Sequence, residues 1–402
     1  MTATSVTGIG PGDAFPGIKG PHNLRDIYVS ILSVLSSGGV VVGSLLPEKM
    51  FMLNPDALFK QNALGNTSGN PTVYAPGTAA YPTIVFDPAA PTALGNKKFM
   101  MWYQGSPIKF TQSNDGITWD AQGVTSGLLA SSDHPVVKYD SSAPFSSDGI
   151  TFYKFQIWYW DSTLLYTISA LRTAFSNDGI AWVNDQVLIQ DSINVLVTGA
   201  VTWNAGSYGA TTILVNTLVP YGVARTPNNP MNHRFVMYYN GTDGGSEQTG
   251  LAFSNDGITF ERWVPYAGAN VPVFRYGKSA PPTTPNGTEE RMWDFDYSVA
   301  FRVIKVNNIF LAVYSGGDDV SHHGVGAAWS NDGIRWARFQ KPLSTLLYSP
   351  AEVLNYANIR SYTPEIIYDV NRFGSIAFFK IWWSIVGSDT GTKRIAYTES
   401  II

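Results

Sequence analysis

One seven-residue motif occurs four times along the 402-residue chain. Each copy reads Ser-Asn-Asp-Gly-Ile, then one variable residue and one aromatic residue, and the copies begin at Ser113, Ser176, Ser254 and Ser330. Their spacing of 63 to 78 residues is too long for ankyrin, leucine-rich or tetratricopeptide repeats, and it fits a four-stranded propeller blade with long loops. The repeat therefore predicts blades arranged around one axis.

Two strand candidates precede each expected turn. The second is a run of aromatic and apolar residues, found at 99–103, 155–159, 235–239, 310–314 and 378–383. The first is often opened by an X-Pro pair, and the candidates are 81–86, 134–137, 196–201, 297–301 and 363–367. Proline at the first residue of a strand removes no donor that the sheet needs. We expect an all-β, five-bladed propeller of four-stranded antiparallel blades.

The repeated motif has the chemistry of a tight turn. Its glycine suits a positive φ, its aspartate can accept backbone N–H groups, and its last aromatic residue can wedge between blades. We therefore predict a structural role at the outer rim for these aspartates. A further copy at 147–152 precedes the aromatic run of the second blade and predicts an extra hairpin there.

The last repeat ends at Ile402 before a fourth strand can form. Since an open ring would leave two strand edges unpaired, we expect residues 70–74 to supply the closing strand. This divides the chain into residues 1–69 and a propeller over 70–402. In the first part, residues 1–22 read as an extended arm, 24–36 as a short helix with one apolar stripe, and 44–69 as irregular. The helix packs either on its own propeller or on a neighbouring subunit.

Composition excludes several classes of partner. The chain has 26 basic and 30 acidic residues and no run of more than two Lys or Arg, so it lacks the charge that nucleic acids attract. It has no cysteine, and it contains no run of 18 apolar residues that could insert into a membrane. No metal site or cofactor is expected.

The sequence starts without a Sec-type secretory signal. We expect the protein on an extracellular surface or in a virion, and a cytoplasmic location is also compatible with the sequence.

From about residue 70 to 402 the chain resembles the five-bladed propellers of the arabinanase, xylosidase and fructosidase type. The resemblance rests on the Met101-Trp102-Tyr103 strand and its equivalents and on the Ser-x-Asp-Gly-x-x-Trp turns. It implies a glycoside hydrolase fold with three acidic groups around an axial pocket, at the first strands of the first three blades. This sequence departs from that pattern, because Tyr81 takes the place of the first acid and the candidate third blade offers Thr198 and Gly199.

The acids near the predicted axis allow a permuted arrangement. Asp133, Asp296 and Glu365 could face one pocket, with Glu365 as the acid and Asp133 or Asp296 as the base; the alternative is that they cap strand ends or line the pocket as polar residues. Aromatic side chains can stack on sugar rings. The ligand-binding candidates are Tyr81, His134, Trp293, Tyr297 and Tyr362.

Three functions stay open from the sequence. The incomplete acid pattern and the charge-poor helix favour a non-enzymatic propeller on a surface assembly such as a phage virion, tail fibre or capsid. It would recognise a glycan or polysaccharide and attach as a homo-oligomer or to other subunits through residues 1–69. The alternatives are a glycoside hydrolase acting on a polysaccharide and a purely structural subunit.

Overall fold

The structure is a computed structural model, and only part of the chain is placed well enough to describe. The described residues are 47–53, 59, 72–76, 79–89, 97–161, 163, 171–190, 209–223, 229–242, 247–263, 272–274, 297–317, 323–339, 343, 360–371, 373, 377–386 and 393–400. Within them, no helix is long and apolar enough to cross a membrane.

The described chain forms five antiparallel four-stranded sheets arranged as a five-bladed propeller, which confirms the predicted fold class. A helix, α1 (Pro47–Leu53), and the strand β1 (Thr72–Tyr74) come first. The first blade contains β2 (Thr83–Phe86), β3 (Phe99–Tyr103), β4 (Lys109–Ser113) and β5 (Gly123–Val124). The second contains β6 (Ser132–Tyr139), the extra hairpin β7 (Phe145–Ser146) and β8 (Phe152–Tyr153), β9 (Phe155–Asp161), β10 (Leu171–Ser176) and β11 (Val183–Val187).

The remaining strands complete three more blades. After β12 (Ile189–Gln190), the third blade contains β13 (Gly209–Val215), β14 (Phe235–Thr242), β15 (Glu247–Ser254) and β16 (Thr259–Arg262). The fourth contains β17 (Tyr297–Val306), β18 (Ile309–Gly317), β19 (His323–Ser330) and β20 (Ala337–Arg338). The fifth contains β21 (Arg360–Tyr368), β22 (Phe379–Val386) and β23 (Lys393–Glu399).

Each repeated turn is held by the same side-chain hydrogen bonds. In the first copy, Oδ1 of Asp115 accepts the backbone N–H groups of Ile117 and Thr118, both at 2.7 Å, and Oγ of Ser113 accepts that of Gly116 at 2.9 Å. Burial would raise the pKa of Asp115, but these hydrogen bonds outweigh it and hold the pKa below its usual value. The carboxylate is thus committed to the turn.

The turns also join neighbouring blades. In each case an aromatic side chain of the second strand donates to the carbonyl of the motif glycine in the next blade. The four pairs, with their donor–acceptor distances, are Trp102 Nε1 to Gly179 O at 2.8 Å, Trp158 Nε1 to Gly257 O at 2.9 Å, Tyr238 Oη to Gly333 O at 2.7 Å, and Trp382 Nε1 to Gly116 O at 2.8 Å. We call this contact the blade latch.

The hydrophobic core is divided among the interfaces between blades. Among the described residues, five buried clusters each join two adjacent blades, and the aromatic second strands contribute to the clusters on both sides. In β3, for example, Met100 and Trp102 face the second blade, whereas Phe99 and Met101 face the fifth. Burial on both faces explains why these strands are apolar throughout instead of alternating with polar residues.

The N-terminal side of the chain completes the fifth blade. The strand β1 pairs antiparallel with β23, so that Tyr74 lies opposite Ile395, where the sequence placed the closing strand. Phe59 forms an antiparallel bridge with Ser400, just as the motif residue Trp119 does with Ser113 in the first blade. Phe59 is 1% exposed and packs against Phe379 with ring centroids 6.4 Å apart. In the fifth blade Phe59 therefore occupies the position that Trp119, the aromatic residue of the motif, has in the first blade.

Two local predictions are wrong. The first strand of the third blade is β13, Gly209–Val215, and not 196–201, which lies outside the described residues. Residues 44–69 are not wholly irregular, because Pro47–Leu53 forms α1, in which Glu48 occupies the first turn and Phe51 is fully buried against the fifth blade. Proline and an acidic residue in the first turn favour a helix start. The helix predicted over 24–36 lies outside the described residues.

The latch predicts unequal effects of two similar substitutions. Gly149 and Gly179 both have φ of 74°, but a Cβ at Gly179 would lie 2.7 Å from Trp102, whereas one at Gly149 would come no closer than 3.5 Å to Tyr221. We expect Gly149→Ala to cost about 1–2 kcal/mol through φ alone, and Gly179→Ala to cost about 1–3 kcal/mol more through overpacking. Equilibrium urea unfolding of both variants measures the difference, and equal losses would contradict the latch geometry.

Candidate functional site

In four blades the chain bends at a residue with positive φ, which lies within the first strand or, in the first blade, two residues before it. The values are 52° at Tyr81, 50° at His134, 51° at Ala300 and 47° at Thr363. The ladder to the second strand shifts register at three of these positions and at the matching place in the third blade. Positive φ is costly for residues with a side chain and clusters at functional sites. The bend marks the axial end at which the first strands begin.

Three aromatic rings meet at this end. The Tyr81 ring lies 3.7 Å from the imidazole of His134 and 5.8 Å from the ring of Tyr362, measured between centroids. These residues come from the first, second and fifth blades and were all predicted as ligand-binding residues. The backbone N–H of Tyr81 donates to Oγ of Ser384 at 2.9 Å, which fixes the bend against the fifth blade. Such a cluster offers ring faces and polar edges together.

Asp133 supplies an acidic group beside this cluster. Its Oδ1 accepts the backbone N–H of His134 at 2.8 Å, and its Oδ2 accepts Nε2 of Gln104 at 2.9 Å. Nδ1 of His134 is 3.4 Å from Oδ2. Burial would raise the pKa of Asp133, but the contacts with His134 and Gln104 outweigh it and hold the pKa below its usual value. Asp133 is therefore an ionised, largely buried carboxylate.

Gln104 is held in place by a lysine from the opposite end of the sequence. Nζ of Lys393 donates to Oε1 of Gln104 at 2.7 Å, which turns the amide nitrogen towards Asp133. The same amine lies 5.7 Å from the centroid of the Tyr81 ring. Burial lowers the pKa of Lys393, while the charge of Asp133 opposes that change. Neither Gln104 nor Lys393 was expected from the sequence. We call Tyr81, Gln104, Asp133, His134, Tyr362 and Lys393 the axial entrance.

Glu365 lies further along the axis. It follows the bend of β21 and is 8% exposed, and its Oε2 lies 3.7 Å from Nη1 of Arg302. Arg302 comes from β17 and also donates to the carbonyls of Thr211 and Pro82, so its guanidinium spans from the third blade to the first. The backbone N–H of Ile366 donates to Oε1 of Glu365 at 3.2 Å. Arg302 was not predicted, although a cation within the apolar run of β17 is an unusual feature.

The other predicted residues give less information. Trp293 and Asp296 lie outside the described residues, and Tyr297 begins β17 with a side chain that the structure does not describe. The catalytic and ligand-binding roles of all eight candidates stay predictions. In the described part of the chain, no group of three or more His, Asp or Glu side chains is arranged to hold a metal ion.

Comparison with known proteins shows the fold. No family model matches the sequence, and no curated protein matches it. Among solved structures, one described as a glycoside hydrolase has a TM-score of 0.53 and 15% identity over 88% of this chain and 94% of its own. Another, described as an RGII complex, has a TM-score of 0.53 and 16% identity over 88% of this chain and 96% of its own.

A third similar structure comes from the GH130 family of mannoside phosphorylases, described as containing glycoside hydrolases that target beta-1,2 mannosidic linkages in Candida mannan. Its TM-score is 0.50, at 14% identity over 85% of this chain and 94% of its own. This chain has the fold of the glycoside hydrolase propellers. At this level of identity the likeness concerns the fold alone.

These comparisons correct the function that the sequence favoured. The non-enzymatic propeller of a virion, tail fibre or capsid was preferred, but that interpretation is wrong, because the matching structures include glycoside hydrolases and none of those reported is a virion protein. The glycoside hydrolase alternative is the better supported. The predicted subunit contacts through residues 1–69 stay a prediction.

The contact between Gln104 and Asp133 predicts a pH-dependent loss of stability. Gln104→Ala removes a hydrogen bond to a charged group, which costs about 1.5–3 kcal/mol. Because the pKa of Asp133 is lowered on folding, its ionised form stabilises the fold above the ordinary pKa of about 3.9, and this contribution is lost as the pH falls through the lowered value. The cost of Gln104→Ala should therefore shrink in acid.

Urea unfolding of wild type and variant between pH 7 and pH 3 tests this expectation. Gln186→Ala is the matched control, since Gln186 lies half-buried on the outer strand β11. Its effect should not change with pH. A cost for Gln104→Ala that is equally constant would contradict the assignment of an ionised Asp133 at this contact.

Proposed function

We propose that the chain is a glycoside hydrolase that binds its glycan at the axial entrance. The observation that carries the proposal is the ionised Asp133 carboxylate next to the rings of Tyr81, His134 and Tyr362. Aromatic faces can pack against the C–H groups of a sugar ring, and a carboxylate can activate water or attack the anomeric carbon. The similar propeller structures described as glycoside hydrolases support the proposal at the level of the fold.

In this proposal Asp133 acts as the base. It removes a proton from a water molecule as the water oxygen bonds to the anomeric carbon, while the glycosidic bond breaks and the leaving oxygen takes a proton from a carboxylic acid. A base must be ionised at working pH, and the hydrogen bonds from Gln104 and His134 keep Asp133 in that state. Gln104 and Lys393 position the carboxylate without touching the reacting atoms.

The proton donor is the second group that this reaction needs. Glu365 is the candidate acid within the described part of the axis, and Asp296 lies outside it. We assign Glu365 as the acid, because it follows the bend of β21 on the axis, and its Oε2 lies 3.7 Å from Nη1 of Arg302.

Removing the base tests the function directly. Asp133→Asn keeps the shape of the side chain but cannot accept a proton, so we expect kcat to fall about 10²–10⁴-fold. Aryl glycosides and a polysaccharide panel supply the substrates, with released phenol or new reducing ends as the readout. Asp120→Asn is the matched control, because the Asp120 side chain is 49% exposed and, among the described residues, pairs with Lys97 at the surface.

The control should keep its kcat within about twofold, since a surface ion pair contributes little. Absence of turnover by the wild-type protein on every substrate would overturn the proposal, as would full activity of Asp133→Asn.

Glu365→Gln adds a test of the acid. Leaving groups of low pKa need no proton, so this variant should lose activity on alkyl glycosides and keep it on dinitrophenyl glycosides.

The lowered pKa of Asp133 also predicts the acid side of the pH profile. Activity requires the ionised base, so kcat/KM should stay constant down to about pH 4, the ordinary value for aspartate, and fall only below it. Gln104→Ala removes a donor to the carboxylate and should shift this limb to higher pH. Recovery of activity after return to neutral pH separates titration from unfolding. A limb unmoved by Gln104→Ala would argue against Asp133 as the base.

A further inference from the structure

The extra hairpin of the second blade contains a fifth copy of the motif turn. Oδ1 of Asp148 accepts the backbone N–H groups of Ile150 and Thr151 at 2.8 and 2.7 Å. Oγ of Ser146 accepts the backbone N–H of Gly149 at 2.8 Å. The same three hydrogen bonds hold the motif turn of the first blade. The hairpin therefore has the turn that elsewhere joins two blades.

The apolar residues of this copy lack the cover that the other four copies have. In the four blade turns, the isoleucine and the aromatic residue of the motif pack into the core clusters between blades. In the hairpin, Ile150 is 83% exposed and Phe152 is 45% exposed. The fifth copy thus presents to the surface the two side chains that a neighbouring blade covers in the others.

The adjoining loop of the third blade extends this exposed surface. The ring of Tyr221 lies 6.4 Å from that of Phe152, and its hydroxyl donates to the carbonyl of Ser146 at 2.9 Å. Leu218, three residues before Tyr221, is 91% exposed. Large apolar side chains that are grouped at a surface mark an interaction site. We call Ile150, Phe152 and Leu218 the apolar patch.

The chain that precedes the propeller lies at the same end of the blades. The hairpin joins the end of a first strand to the start of a second strand, and the turn at Asn307 does the same in the fourth blade. The side chain of Asn307 donates to Oε1 of Glu48 in α1 at 2.9 Å. Pro47 begins α1, and 46 residues precede it in the sequence. This segment therefore joins the described structure on the face that has the apolar patch.

A cavity of about 590 Å³ lies on this face, between α1 and the apolar patch. On one side it is lined by Tyr368, whose ring lies 5.2 Å from that of Phe379, and Phe379 contacts Phe51 of α1 at 5.7 Å. On the other side it is lined by Phe145, where the hairpin begins, and by Leu218 of the patch. Its lining is both polar and apolar. Such a surface suits a peptide, which has a polar backbone as well as side chains.

Residues 24–36 have the side chains that the apolar patch needs. Only Arg25 and Asp26 are charged in this segment. Its apolar residues repeat at helical spacing, at Leu24, Ile27, Tyr28, Ile31, Leu32 and Leu35. The ten residues 37–46 connect the segment to Pro47. When extended they span about 35 Å, which is more than the width of a cavity of this volume.

We propose that residues 24–36 dock on the apolar patch of the same molecule. The apolar stripe removes Ile150, Phe152 and Leu218 from water, as the neighbouring blades do for the other copies of the motif. The connection through residues 37–46 keeps the segment close to its own patch, and this high effective concentration favours it over the segment of a second molecule. The contact does not depend on the glycosidase proposal.

Photo-crosslinking from the patch tests this contact in the full 402-residue chain. The chain has no cysteine, so Ile150→Cys provides a single attachment point for a benzophenone maleimide. After irradiation, mass spectrometry should find crosslinks to residues 24–36 in material of monomer mass. Val124→Cys is the matched control. Val124 is 53% exposed and lies opposite Lys109, at the other end of its blade from the motif turn, so it should give no crosslink to residues 24–36.

A mixture of chains separates the segment of the same molecule from that of a second copy. Probe-bearing chains are mixed with an equal amount of isotope-labelled chains that have no probe. We expect the crosslinked peptides to be unlabelled. Labelled peptides in half of the crosslinks would show that the segment docks on a neighbouring molecule and would overturn the proposal, as would crosslinks from position 150 that miss residues 24–36.

The rate of tryptic cleavage after Arg25 measures how firmly the segment is docked. Ile150→Asp should increase this rate at least about tenfold, because the patch loses the burial of one isoleucine. Val124→Asp should change it less than about twofold, as expected for a surface substitution. A thermal melt verifies that both variants are folded. An unchanged cleavage rate in Ile150→Asp would contradict docking on the apolar patch.

Discussion

The blade latch is the contact on which the ring depends. It fixes the second strand of one blade to the turn of the next, and it uses both parts of the repeat, an aromatic donor and a glycine carbonyl. At the interface between the fourth and fifth blades, Val313 stands at the donor position, and its apolar side chain has no hydrogen-bond donor to offer.

The fifth interface replaces the latch with packing. Phe51 of α1 and Phe59 lie against Phe379, with ring centroids 5.7 Å and 6.4 Å away, and Phe59 takes the place of the motif aromatic residue. A hydrogen bond between side chain and backbone is directional, whereas ring packing tolerates more variation in geometry. The closure of the ring therefore depends on a segment distant in sequence from the blade that it completes.

The sequence predicts features whose signals lie within one blade. Each turn and each aromatic run is a local pattern, so the number of blades and their strand order follow from the repeats. The first strand of the third blade was misplaced, because 196–201 and Gly209–Val215 are both apolar and rich in β-branched residues. The pairing of β13 with β14, in which Val215 lies opposite Phe235, identifies Gly209–Val215 as the first strand. Phe59 was missed because its partner, Ser400, is almost a full chain length away.

The candidate site likewise has a part that local signals indicate and a part that they do not. The meeting of Tyr81, His134 and Tyr362 at one end of the axis could be predicted because the starts of first strands converge there, and their ligand-binding role stays a prediction. Gln104 and Lys393 could not, since their hydrogen bond joins residues 289 positions apart.

Arg302 is a second contact between residues far apart in sequence: it donates to carbonyls of the first and third blades and faces Glu365 of the fifth. It also leaves Asp133 and Glu365 in different surroundings, one among hydrogen-bond donors and the other beside a guanidinium. In the proposed hydrolysis the two carboxyl groups have different roles, and their neighbours differ accordingly: Asp133 accepts hydrogen bonds from Gln104 and His134, whereas Oε2 of Glu365 lies 3.7 Å from the guanidinium of Arg302.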